Sequence, residues 1–379
     1  MDSDQSSVGL YYKSEDGPAY GSGRRWGDMG RGVSRTVEEV AHPKTKGSLS
    51  GGWGRTVAML GAVLVSVFSL VRCSPGDRPE ILALATAGTG GVYYVLGGSI
   101  AEIWSRDLPD QVVVAEVTGG SVENLSLLMA GQVEVAFSMG TNALEAHTAR
   151  GSFEGGESGQ ILALVALYPN ILHLATLEET GVSTLYDLVG RRVSVGAPGS
   201  GTEVAARTLL EANGIGYDDF DPQRLNFNET ANAIRDGNVD AGFWSAGPPT
   251  SSLMDLATAR SVHLVPLGAE EVERTAALDP TVRPDVVPAG AYRGQEQQVH
   301  TLSTPNLLVV SADMPEELAY SLIQELLEAR EELEGVHPVA RQISAEYTLS
   351  ASPIPLHPGA VRYLQDSGHE VPERLILSR

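Results

Sequence analysis

Lysine is missing from most of this chain: none occurs after Lys46, and every later strong cation is an arginine. Cysteine is nearly absent too, with one in 379 residues. A lone Cys73 excludes an intramolecular disulfide and any zinc site built from cysteines. Positive charge is scarce overall, since 26 Lys and Arg stand against 48 Asp and Glu. Residues 1–72 hold nine of those cations and seven of the anions, which leaves 17 and 41 from Cys73 onward, a net of −24. Such a surface repels phosphate backbones and anionic lipid, so nucleic-acid binding and a polybasic membrane patch are both disfavoured. Aromatic residues make up 6% and charged residues 20% of a chain that is 42% apolar. That balance excludes collagen-like, coiled-coil and wholly disordered chains and leaves core enough for two domains.

Residues 1–56 are rich in Gly, Ser, Asp and Arg and lack a repeating apolar face, which predicts a disordered N-terminal extension. Val57–Val71 follows, 15 residues without a charge between Arg55 and Arg72. That is the length of a signal-peptide apolar core and short of the about 20 residues a spanning helix needs. Segment 57–73 is therefore read as a signal peptide or an N-terminal anchor, and either places the rest of the chain outside the cytoplasm. Cys73, directly after the apolar run, resembles the cysteine of a bacterial lipobox, the residue that is lipidated. Arg72 departs from that motif, which has a small residue there.

From Glu80 onward short apolar runs alternate with helical patterns, as in an α/β protein with mainly parallel strands. Ile81–Ala85, Val112–Val117 and Val133–Phe137 read as strands, each followed by a polar turn and a helix. The first helix has Val92, Leu96, Ser99 and Ile103 on one face, and Ser121 is placed to cap the second. Ile161–Tyr168 and Ile171–Leu177 read as two runs split by Pro169-Asn170. The pattern then restarts: a short helix over Val182–Val189, a strand over Arg191–Val195, and the loop Gly196–Thr202 into a helix over Glu203–Asn213. Arg224–Phe227, a helix over Thr230–Arg235 and a strand over Val239–Trp244 complete the second unit. His300–Val310 is a long strand and Pro315–Glu332 one helix. The expectation is two Rossmann-like lobes, 79–169 plus 303–379 and 170–302, with hinge crossings near 169 and 303 and a ligand cleft between them.

Ligands of open parallel sheets bind beyond the carboxyl ends of the strands. Here those loops are Gly88–Tyr94, Thr118–Asn124, Ser138–Asn142, Gly196–Glu203 and Trp244–Pro249. Helix N-termini expose unpaired N–H groups at a positive dipole end, so several converging ones hold an anion without Lys or Arg. Gly90 and Gly91 lie on the first of these loops; Tyr93, Tyr94, Ser121, Asn124, Ser138, Thr141, Asn142, Ser200 and Thr202 supply side-chain donors; Trp244 offers an apolar wall. This constellation suits a small carboxylate. The competing readings are structural: Ser121 as a cap, Trp244 as packing, and only one of Tyr93 and Tyr94 facing the cleft, because adjacent helical positions diverge by about 100°.

Catalytic patterns find little support. Gly196–Thr202 lacks the Lys of a P-loop, Gly88-Thr89-Gly90-Gly91 misses dinucleotide spacing, and no Ser sits in GxSxG. The eight histidines have no metal-ligand spacing. An exported enzyme would have to draw its base from Glu123, Glu203 or Asp240. No metal or cofactor is expected.

Gly90-Gly91-Val92-Tyr93-Tyr94, Gly120-Ser121-Val122-Glu123-Asn124, Ser194–Thr202, Pro288–Tyr292, Thr301–Val310 and Pro355–Ala360 together resemble the TAXI family, over residues 79–368 in order. TAXI proteins are extracytoplasmic solute receptors of TRAP transporters. The resemblance implies a periplasmic-binding-protein-like fold and delivery of the ligand to TRAP membrane permease subunits driven by an ion gradient. Its ligands would be dicarboxylates, 2-oxoglutarate-like acids or glutamate. Carried over, the contacts would be Gly91, Tyr93, Tyr94, Ser121 and Asn124 from one lobe and Pro198, Gly199, Ser200, Gly201 and Thr202 from the other. The chain departs from the family at Gly140-Thr141-Asn142, where many members carry an acid; that favours a plain organic acid over an amino acid. A ligand-sensing ectodomain with the same cleft is the alternative from another class.

Overall fold

The computed structural model describes residues 79–377; the extension 1–56, the segment 57–73 and Cys73, with the leader, anchor and lipidation expectations, lie outside them. Among the described residues no helix is long and apolar enough to cross a membrane.

The strands are β1 (Glu80–Ala85), β2 (Gln111–Glu116), β3 (Val135–Met139), β4 (Ile161–Leu177), β5 (Arg192–Ser194), β6 (Asp221–Gln223), β7 (Ala241–Ala246), β8 (Val262–Leu264), β9 (Arg283–Val287) and β10 (Val299–Ser311). They form one mixed sheet in the order β2-β1-β3-β10-β4-β7-β5-β6, with β8 on β4 and β9 on β10. β1, β2 and β3 pair parallel at one end, and β5, β6 and β7 do so at the other. Parallel neighbours need crossover helices, which is why both ends read as alternating elements in the sequence. β4 and β10 run antiparallel through the middle and join the two parallel groups.

Pro169-Asn170 does not divide β4, contrary to expectation: the strand runs through it for 17 residues. Pro169 lies opposite Pro305 on β10, so the two residues without an N–H share one rung instead of interrupting two. Three other expectations are corrected. Val182–Val189 contains only a 3₁₀ turn, Leu185–Leu188, bracketed by left-handed Gly181 and Gly190. The strand expected at Arg224–Phe227 lies earlier, at β6. Asn226 instead caps the helix Phe227–Arg235, accepting the Glu229 N–H while the Glu229 carboxylate accepts the Asn226 N–H. Pro315–Glu332 is two helices, Glu316–Glu328 and Arg330–Val336, broken at Ala329.

The first helix, α1 (Val92–Asp107), buries Val92, Leu96, Ile100, Ile103 and Trp104 against the sheet; Ser99, expected on that face, is only half-buried. The apolar interior falls into three clusters. The largest gathers β1–β3 with the first half of β4, the second half of β10 and the C-terminal helices. The other two surround β5 and β7 and the opposite ends of β4 and β10.

Candidate functional site

Four helices begin at one place. They are α1, α2 (Ser121–Met129), α4 (Gly201–Ala212), which follows α3 (Gly140–His147), and α5 (Phe227–Arg235). Their first residues line one cavity of about 60 Å³, together with Ala87 and Gly88 after β1, Gly119 and Gly120 after β2, Met139 at the end of β3, Ala197, and Ser245 and Ala246 of β7. A single water needs about 10–15 Å³ by the same measure, so the space holds several waters or one small solute. No Asp, Glu, Lys, Arg or His stands among the lining residues. The field inside therefore comes from helix ends, which favour negative charge.

Local sequence sets each helix end. Ser200 caps α4 by accepting the Glu203 N–H at 3.2 Å and donates its hydroxyl proton to the Ala197 carbonyl at 2.7 Å. Asn226 caps α5 at 3.0 Å. α2 is capped from outside: the Gly199 carbonyl accepts both the Val122 and the Glu123 N–H, each at 3.1 Å. Gly199 has φ +74°, a conformation glycine adopts without strain, and that turns its carbonyl onto α2. Gly201 admits no side chain either. A Cβ there would fall 2.6 Å from Met139 Sδ and 2.7 Å from both Ser121 Oγ and Asn142 Oδ1.

Of the residues singled out in the sequence, Gly91, Tyr93, Ser121, Ser200, Gly201 and Thr202 line the cavity. Tyr93 is buried, stacks on Phe137 with ring centroids 4.8 Å apart, and accepts a hydrogen bond from Asn170 Nδ2 at 3.1 Å. Burial holds its phenol far above the ordinary value, so it stays neutral. Ser121 is not a helix cap; its hydroxyl accepts the Met139 N–H at 3.1 Å.

The others stand elsewhere. Tyr94 points to solvent at 42% exposure, as expected for one of two adjacent helical residues. Gly90 is not in the lining, and its carbonyl accepts the hydroxyls of Ser251 and Ser252 at 3.2 and 3.0 Å. Asn124 ties strand ends together, donating to the Thr86 and Phe137 carbonyls at 2.7 and 2.8 Å. Ser138 donates to the Met139 carbonyl, and Thr141 donates to Asp279 at 2.6 Å. Pro198 and Gly199 form the turn that caps α2 without lining the cavity. Trp244 is fully buried against Phe227, its Nε1–H donating to Ser252 at 3.1 Å, and it is not among the residues lining the cavity.

The sequence reading missed Asn226 and Phe227, although Asn226-x-x-Glu229 spells a capping box that announces a helix start. Ser245 and Ala246 fall within the expected ligand loop Trp244–Pro249 but were not singled out there, and they belong to β7, which ends two residues later than expected. The carboxylates weighed as bases are engaged elsewhere: Asp240 with Arg192 at 2.6 Å, Glu203 with Arg207 and Tyr217 at 3.0 Å each, and Glu123 with the Gly119 N–H at 2.7 Å. None of the three lines the cavity.

A mixed α/β sheet with a ligand-sized cavity where helices begin defines the class of molecule. Within that class the chain belongs to the NMT1-like family, whose model matches residues 84–368. Among solved structures it is similar to the periplasmic aliphatic sulphonate binding protein SsuA from Escherichia coli, at 17% identity and a TM-score of 0.43, covering 76% of this chain and 79% of that one. It is also similar to the alkanesulfonate-binding protein SsuA from Xanthomonas axonopodis pv. citri bound to MOPS, at 17% identity and a TM-score of 0.44, covering 76% and 91%. PhnD1 from Prochlorococcus marinus (MIT 9301) in complex with methylphosphonate is similar at 10% identity and a TM-score of 0.47, covering 70% and 91%.

Proposed function

We propose that this chain is an extracytoplasmic solute-binding receptor that captures a small organic anion and delivers it to a membrane transporter. The observation that carries the reading is the convergence of four helix N-termini on one cavity whose lining holds no charged side chain. The helix-end N–H groups that the caps leave free are oriented before the ligand arrives, and hydrogen bonds to a carboxylate contribute about 1.5–3 kcal/mol each. The lining comes from both halves of the chain, residues 87–139 and 197–246. A ligand there touches both proposed lobes at once, so it stabilises their closed arrangement over any open one. No bond chemistry is part of this role.

The residues shared with the TAXI family point to a TRAP permease as the partner and to dicarboxylates, 2-oxo acids or glutamate-like acids as the ligands to try first. The lobes close about the crossing of β4 and β10, and the leader segment exports the chain. The test is a thermal-shift screen against carboxylates, amino acids and sugars. A ligand present at 100 times its Kd stabilises by about 2.7 kcal/mol, a shift of several degrees. A shift confined to acids supports the reading. Silence across every acid, from folded and ligand-free protein, removes it.

A further inference from the structure

A larger hollow lies on the other face of the β4–β10 crossing, and it shares no lining residue with the helix-end cavity. Side chains alternate between faces along a strand. Asn170 of β4 donates to Tyr93, which lines the helix-end cavity, so the neighbouring Pro169 ring points the opposite way. Pro169 and Pro305 both line this second groove, whose volume is about 660 Å³. Small-molecule sites enclose about 300–1,000 Å³. One wall runs from Pro280 to Asp285, the turn into β9 and its start. The other runs from Tyr347 to Pro353 and is completed by Arg374.

Charge in the groove runs against that of the chain. Two arginines, Arg283 and Arg374, line it with one acid, Asp285, although the chain carries 48 Asp and Glu against 26 Lys and Arg. Among the described residues neither arginine is paired with a carboxylate. Arg283 uses only Nη1, donating to the Pro280 and Val282 carbonyls at 2.6 and 2.7 Å. Its Nε–H and Nη2–H remain, the same edge with which Arg192 holds Asp240 at 3.1 and 2.6 Å. That edge fits a carboxylate through two parallel hydrogen bonds. Arg283 stands opposite Ser303 in the β9–β10 ladder, so the Ser303 hydroxyl projects on the same face. Arg374 donates to the carbonyls of Leu349, Ser350 and Ser352 at 2.6, 3.3 and 2.8 Å, and its charge offsets the negative end of the helix Ala345–Ala351.

The rest of the groove is apolar and stiff. Pro169, Pro280, Pro284, Pro305 and Pro353 line it together with the half-buried Tyr347 ring. Proline brings a rigid ring and no N–H, so these walls suit an apolar body rather than a second polar group. Asp285 opposes a second negative charge. We propose that the groove is a second binding site, for a monocarboxylate that carries a ring. Its carboxylate sits on the Nε–Nη2 edge of Arg283, and its ring lies among Tyr347 and the prolines. An occupant that touches both walls and rests on Pro169 and Pro305 stiffens the crossing beneath it.

The test is isothermal titration of the full-length protein with phenylacetate and with its neutral isostere phenylacetamide. Both are too large for the helix-end cavity of about 60 Å³, which holds several waters at about 10–15 Å³ each. Phenylacetate is expected to bind at a single site, at least tenfold tighter than phenylacetamide. Arg283 is exposed, so Arg283→Met leaves the core intact, and it is expected to abolish that preference. Arg283→Lys keeps the charge without the two-pronged edge and is expected to weaken phenylacetate at least threefold. Saturating phenylacetate is expected to slow amide exchange at residues 168–171 and 303–306 at least threefold in the wild type, and not in Arg283→Met. Should Arg283→Met fail to fold, as judged by its melting transition, Arg283→Lys decides in its place. The proposal is overturned if phenylacetate does not bind, or binds no tighter than phenylacetamide. It is equally overturned if the arginine variants bind phenylacetate as the wild type does, or if exchange at the crossing is unchanged.

Discussion

Pro169 of β4 stands directly opposite Pro305 of β10, at the rung where the two longest strands pass from one parallel group to the other. Neither residue has an N–H, so that rung lacks a backbone donor on both sides. The register also shifts between Pro305 and Leu307. Around it lie Tyr168, Asn170, Thr304 and Asn306, all at most 2% exposed, with the Tyr168 hydroxyl beside the Asn306 amide and with Asn170 Oδ1 and Thr304 Oγ1 unpartnered. An unsatisfied buried group costs about 1–3 kcal/mol, so a rung without donors flanked by such groups is a local weak point in the pair of strands. Amide hydrogen exchange at residues 168–171 and 303–306 is expected to be at least tenfold faster than at 162–166 and 307–310, and to slow when ligand closes the cleft. Uniform protection along both strands would show that the crossing does not open.

The same Pro305 presses on the start of α3. A Cβ on Gly140 would come within 2.7 Å of Pro305 Cγ and 3.2 Å of its carbonyl oxygen. Gly140→Ala is therefore expected to destabilise by about 1–3 kcal/mol, because a ring and a backbone atom would both have to shift. Adding Pro305→Ala removes the ring and should recover part of that loss. Urea unfolding of the two single variants and the double variant measures the coupling, expected at about 1 kcal/mol. Additive losses would mean that the strain lies elsewhere.

Much of this was legible in the chain because local rules and tertiary packing agree. The parallel ends of the sheet announce themselves as strand, polar turn and helix, and the cavity loops Gly88–Tyr94 and Gly196–Glu203 are found from that rhythm alone. What escaped depends on pairs distant in sequence. Pro169 looks like a strand breaker until Pro305 is set opposite it. Ser121 reads as a cap until the Gly199 carbonyl, from the other half of the chain, is found in that place. Asn124 and Thr141 look like ligand donors because the carbonyls and the carboxylate that engage them lie up to 138 residues away. A hydroxyl or amide on a loop after a strand is visible in sequence; whether the fold has already used it is not.

Gly201 offers the sharpest probe of the cavity itself. Its backbone conformation suits any residue, so a substitution there acts through space rather than through strain. Gly201→Ala would place a methyl group within 2.7 Å of Met139 Sδ, Asn142 Oδ1 and Ser121 Oγ. The expected result is a fall of at least a hundredfold in ligand affinity, with a loss of only about 1–3 kcal/mol in unfolding free energy. Titration with the acid found in the screen, alongside urea unfolding, separates the two effects. Unchanged affinity would show that the ligand binds away from α4.

His173 is one of three histidines, with His337 and His357, whose burial lowers the imidazole and makes the fold sensitive to acid. It lies in β4, 1% exposed, with Nδ1 against the Ile171 carbonyl at 2.9 Å and Nε2 against the Tyr292 hydroxyl at 3.1 Å. Tyr292 accepts the Thr250 N–H at 3.2 Å, so the ring braces the segment after β7. Burial lowers the imidazole from its ordinary 6.5 to about 4. Between those values the unfolded chain binds a proton that the folded chain refuses, so stability rises with pH there. Its full value is present above about 6.5, drains away as the pH falls towards about 4, and levels off below. A gap of that size corresponds to a loss of about 3 kcal/mol. His173→Gln keeps a neutral polar group and cannot take up a proton. The variant is expected to be less stable at pH 7, because it loses the ring's contact with Tyr292, and to show a shallower decline on acidification. Urea midpoints at intervals from pH 7 to pH 4 decide the matter, since parallel curves for the two proteins would place the acid sensitivity on other groups.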